Sequence, residues 1–137
     1  MVRIFLILFA ALGVVSCSHE GRKESLEEVG FEEPPAKEVV YSKSGTNGET
    51  FRFECPKSKF ADWLTGSKIY YHVSGRSEDE IKLLRSEMLK ALDEFGEGVF
   101  LEGDFSQSGE LKYVRVGAEA HVANDTCSVF VELFELD

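Results

Sequence analysis

Apolar and polar residues alternate along much of the second half of this chain. From Leu111 to Val122, Val114, Val116, Ala118, Ala120 and Val122 fall on one side, and Tyr113, Arg115, Gly117, Glu119 and His121 on the other. A period of two predicts a half-buried β-strand. The same pattern predicts strands over Thr50–Cys55, where Phe51, Phe53 and Cys55 oppose Arg52 and Glu54, and over Val99–Phe105. Ser128–Leu136 reads as a strand apolar on both faces, with Val129, Val131 and Leu133 against Phe130, Phe134 and Leu136. Lys68–Val73 also alternates, placing Ile69, Tyr71 and Val73 opposite Tyr70 and His72, and predicts one more strand. Glu38–Tyr41 is a shorter candidate, with Asn47-Gly48 as part of a following hairpin. One stretch has the helical period instead: Ile81, Leu84, Met88, Leu92 and Phe95 form a stripe. Ser77 and Glu80 have capping-box spacing at its start, and Gly96 sits where a left-handed stop belongs. Phe60, Trp63 and Leu64 are spaced as a short helical turn or a covering loop.

These elements define a mainly antiparallel α+β chain of five or six strands and one long helix. Gly103 and Gly117 would allow strands to bend, which predicts a small, partly closed, OB-like barrel plugged by the helix. The alternative is an open antiparallel sheet with the helix on one face.

The beginning of the chain has no such pattern. Arg3 precedes an uncharged run, Ile4–Val15, followed by Ser16 and Cys17. Twelve residues suit a signal-peptide core but fall short of the roughly 20 that cross a bilayer as a helix. Val14-Val15-Ser16-Cys17 resembles the lipobox of bacterial lipoproteins. That resemblance implies removal of a leader spanning residues 1–16, a diacylglyceryl group on the Cys17 thiol, and an acyl chain on the new amino terminus. Two or more chains anchor durably where one does not. Ser18 resembles the residue that directs such proteins to the outer membrane, facing the periplasm. The competing reading is an ordinary secretory peptide whose cleavage site Cys17 happens to follow. Residues 17–36 are acidic, with six glutamates closed by Pro34-Pro35, and read as a tether. Leu26, Val29 and Phe31 are their few apolar positions. Residues 37–137 then form a single domain.

Composition narrows the role. A formal net charge of −10 lacks the basic footprint of a nucleic-acid binder, and it leaves an acyl anchor as the membrane contact. Hydrophobic residues at 43%, with 11 phenylalanines, can fill a core. With Cys17 lipidated, Cys55 and Cys127 remain as a pair, which in an exported protein reads as a disulfide. A metal site joining them to His72 and His121 is the alternative, but the paired C-x2-C spacing of such sites is missing. No G-x-S-x-G motif is present, His19 lies in the tether, and His72 and His121 fall on polar strand faces. Glu102 and Asp104 share a strand face about 7 Å apart, within reach of glycosidase spacing. Among 25 acidic residues such a pair arises readily by chance, so neither enzyme activity, a cofactor nor a metal is expected. Trp63, Tyr70 and Tyr113 are the candidate binding surface, because aromatics concentrate at interaction hot spots.

A second resemblance spans Thr50 to Cys127. An aromatic strand ending in cysteine (Phe51, Phe53, Cys55) is followed by Lys59, a helical stretch, Leu101-Glu102-Gly103-Asp104-Phe105, and Asn124-Asp125 before Cys127. It is similar to the C-terminal OB-like domain of NlpE-type outer-membrane lipoproteins. The chain departs from that family in its segment lengths, in the strand after Cys127, and in lacking an N-terminal barrel with Cys-x-x-Cys. The likeness implies the Cys55–Cys127 disulfide and a part in envelope-stress signalling. The expectation is a lipid-anchored, non-enzymatic binding or sensing module for another envelope protein. The alternative is an inhibitor or immunity protein against a basic cell-wall hydrolase or toxin.

Overall fold

The computed structural model describes residues 25–45 and 47–136. Cys17 and the leader lie outside the described residues. Five strands, β1 (Val40–Ser44), β2 (Gly48–Pro56), β3 (Glu97–Gln107), β4 (Glu110–Ala120) and β5 (Thr126–Glu135), form one antiparallel sheet in the order β1-β2-β5-β4-β3. Three helices, α1 (Lys57–Gly66), α2 (Lys68–Ser74) and α3 (Glu78–Phe95), occupy the connection between β2 and β3.

The strand order leaves β1 and β3 as edges, so the sheet is open and not the partly closed barrel expected. Gly103 does not bend β3; the register slips between Val99 and Leu101 instead. What Gly103 provides is room, because a Cβ there would lie 2.6 Å from Val73 Cγ1 on α2.

The helices cover one face. Phe51, Phe53, Cys55, Val114, Val116, Cys127, Val129 and Val131 point into that layer, each at most 4% exposed. The long helix begins and ends as its sequence predicts. Ser77 and Glu80 close the capping box, and Gly96 stops it with φ 76°. Ile81, Met88 and Leu92 are buried, but Phe95 is 75% exposed, so the stripe ends one turn early.

Lys68–Ser74 is helical, not a strand. A six-residue alternation also fits a helix that buries adjacent positions, and here Ile69 and Tyr70 are both buried while Tyr71 is exposed. Gly75, at φ 66°, supplies the stop.

Part of the expected tether belongs to the core. Leu26 is fully buried and Phe31 is 3% exposed. Phe31 stacks on Trp63 with ring centroids 5.1 Å apart. Trp63 Nε1 donates to the Glu32 carbonyl at 2.8 Å, and the Ser67 hydroxyl accepts from the Glu32 amide at 2.9 Å. Two buried apolar groups and these bonds outweigh the ordering entropy of a short acidic segment. The packed body therefore begins by residue 25 rather than at 37.

Candidate functional site

Because the helices take one face of the sheet, the other lacks a covering layer among the described residues. The strand period puts Arg52 and Glu54 of β2, Ser128, Phe130, Glu132 and Phe134 of β5, and Tyr113, Arg115, Gly117 and Glu119 of β4 on that open face. Register arranges them in rows across the strands. One row is Val40, Arg52, Phe130, Gly117 and Val99. Beside it run Thr50, Glu132, Arg115 and Glu102 on one flank, and Glu54, Ser128, Glu119 and Glu97 on the other.

The central row is apolar except for Arg52. Phe130 lies opposite Gly117, where a Cβ would stand 2.3 Å from Phe130 Cζ, so only glycine lets the ring rest on the strand. Arg115 stands over the same ring with Cζ 5.7 Å from its centroid. Its guanidinium pairs with Glu132 at 3.1 Å and Glu102 at 3.5 Å. Glu102 also accepts from the Tyr113 phenol and so holds it above the ordinary tyrosine range. Tyr113 packs against Phe134 at 6.2 Å, with Leu111 and Leu136 exposed beyond them. A shallow groove of about 590 Å³ follows the central row, with Arg52, Val99, Phe130 and Glu119 in its walls.

At one end of the face, His121 Nε2 lies 2.9 Å from Glu54 Oε1 and 2.9 Å from Ser128 Oγ. Serine, histidine and carboxylate side by side invite comparison with a catalytic triad. A relay, however, needs the acid on one ring nitrogen and the nucleophile on the other. Both oxygens here share Nε2, an arrangement that suits a surface hydrogen-bond cluster.

No protein-family model, curated protein or solved structure matches the chain.

The expected binding aromatics separate. Trp63 is 4% and Tyr70 3% exposed; both are core residues, and burial pushes the Tyr70 phenol up. Neither offers a surface. Tyr113 alone of the three stands on the open face. Sequence reasoning missed Phe130, Val99 and Arg52 as a group, although apolar residues on both faces of β5 were the signal.

Cys55 and Cys127 face each other across β2 and β5, both buried and both free thiols. Their mutual hydrogen bond raises Cys55 and lowers Cys127, with the nearby Lys57 charge favouring the Cys127 thiolate. Lys57 itself is held by Asp93 at 3.2 Å. The cysteines sit on the helix side of the sheet, His121 on the open side, and His72 is exposed on α2. Among the described residues no three His, Cys, Asp or Glu side chains are grouped to hold a metal ion.

Proposed function

We propose that this chain is a lipid-anchored protein of the bacterial cell envelope whose body is a non-enzymatic binding module. The observation that carries the binding role is the open sheet face, with half-buried Phe130 and Phe134 left without a covering layer among the described residues. A face of this kind marks an interaction surface more often than an idle one. The lipobox-like Val14-Val15-Ser16-Cys17 supports the anchor and an outer-membrane, periplasm-facing address. The NlpE-type likeness around Phe51, Phe53, Cys55 and Cys127 supports the envelope setting and a sensing role. In that oxidising space Cys55 and Cys127 join as a disulfide, which their direct opposition across the sheet favours.

Two measurements test this reading. Mass spectrometry of the mature product is expected to find the leader gone, a diacylglyceryl thioether at Cys17, and no free thiol at Cys55 or Cys127. A photo-crosslinker at Val99 on the open face is expected to capture an envelope protein that the same group at Leu83, exposed on α3, does not. An intact leader on the mature protein overturns the anchor. Equal capture from both positions overturns the face.

A second reading, an inhibitor or immunity protein against a basic hydrolase or toxin, is favoured by the excess of carboxylates on the same face, through electrostatic steering. A pull-down with lysozyme at low salt decides it, and no binding there eliminates it.

A further inference from the structure

Resting on the reading of the open face as the binding site, we infer that its occupant is a cationic amphipathic segment of a protein partner. This segment would lie across the strands along the Val40–Val99 row. Three observations converge. First, the row is apolar from Phe130, which rests on Gly117, to Val99, which is 43% exposed, with Arg52 as the one charged side chain in the row. It suits the apolar side of an approaching segment.

Second, carboxylates flank that row on both sides. Glu132 and Glu102 line one flank, and Glu54, Glu119 and Glu97 the other. Lysine or arginine side chains leaving an apolar stripe on either side would reach both flanks at once.

Third, the two flanks differ in how their charge is met. Glu132 and Glu102 are already bridged by Arg115, whereas Glu97 and Glu119 are direct cross-strand partners. Both are exposed, and among the described residues neither is seen to form an ion pair. Like charges directly opposite each other on a sheet work against its stability. A cation supplied by a partner would relieve that repulsion, and the face therefore favours a positive occupant over a neutral one. Two copies of this chain stacked face to face would instead bring carboxylate rows together, so self-association is disfavoured.

The test uses the full chain in neutral detergent. Three fluorescently labelled model peptides share one apolar stripe and carry lysine, glutamate or glutamine on the flanks. Fluorescence anisotropy is expected to show binding of the lysine peptide, weakened at least tenfold between 50 and 500 mM salt. Glu97→Lys with Glu119→Lys should weaken it at least tenfold. Glu87→Lys with Glu94→Lys, reversing as many charges on α3, should change it less than threefold. Circular dichroism of each variant establishes that the fold is kept.

If the glutamate or glutamine peptide binds as well as the lysine peptide, and Val99→Glu abolishes that binding, the face stands and the cationic occupant is overturned. If the lysine peptide binds but the α3 variant weakens it as much as the face variant, or no peptide binds, this inference also fails. The crosslinking comparison of Val99 with Leu83 then decides separately whether the face binds anything.

Discussion

Single residues decide how the acidic N-terminal segment joins the body. Ser67 is fully buried; its hydroxyl donates to the Trp63 carbonyl at 2.7 Å and accepts from the Glu32 amide. Removing that oxygen strands a backbone donor in a partly buried place, at a cost of about 1–3 kcal/mol. Ser67→Ala should therefore lower the urea midpoint without changing the slope of the transition, and an unchanged midpoint would refute the bridge. Glu80 offers a test by pH. Its carboxylate is held below the ordinary glutamate range, first by the Ser77 backbone amide and then by Arg76. A lowered folded-state pKa means that the ionised carboxylate stabilises the fold above the unfolded value, near pH 4.3. This contribution disappears as pH falls through the folded value. Glu80→Gln keeps a capping amide but cannot titrate. The difference in melting temperature between parent and variant should stay level from pH 8 to 5 and narrow on further acidification. A gap that widens on acidification would contradict the capping-box assignment.

At the scale of elements, the strands of the sheet and the long helix were legible because their patterns run long enough to distinguish a period of two from one of 3.6. Ser77, Glu80 and Gly96 mark α3 within a residue. Lys68–Val73 failed because six residues fit both periods, and the deciding facts are tertiary: Ile69 and Tyr70 pack side by side beneath Gly30 and the core. The turn between β3 and β4 is Ser108-Gly109, both with positive φ. The open face was hidden for another reason. Its rows exist only through register, so Glu97 and Glu119, 22 positions apart in sequence, become neighbours only once β3 and β4 pair. That pairing makes its own prediction. Glu97→Lys replaces a like-charged cross-strand pair by an opposite one and should stabilise the fold by about 0.2–1 kcal/mol. Binding of the cationic peptide should weaken in the same variant. A change that raises the melting temperature while lowering affinity separates a residue kept for binding from one kept for structure. Loss of both would assign Glu97 to the fold.

At the scale of the whole molecule, the place where the chain enters the body sets how the proposed anchor would orient it. Ser25 lines the same groove as Asn47 and Ser108, at the hairpin end of the sheet, and Gln107 Nε2 reaches the Glu28 carbonyl. The loop from His121 to Asp125 and the exposed Phe95 and Val122 lie at the opposite end, where the Ala120 amide meets the Gly96 carbonyl. If Cys17 carries the proposed anchor, the eight residues from there to Ser25 reach at most about 29 Å. Strands of 11 residues extend about 36 Å. On the proposed anchor the hairpin end stays within that reach of the lipid, and a body standing upright would hold the row with Glu97 and Glu119 at its far end. An upright body would keep those acidic side chains away from anionic headgroups and open to the proposed partner. Buried Cys55 and Cys127 leave the surface free for selective labelling, so a fluorophore on Glu110→Cys or Val122→Cys reports each end. In vesicles bearing a nitroxide at headgroup depth, the lipidated protein should be quenched several-fold more at position 110 than at 122. Equal quenching would mean that the body lies flat on the membrane, and would remove the distance that gives the far end of the open face its access to a partner.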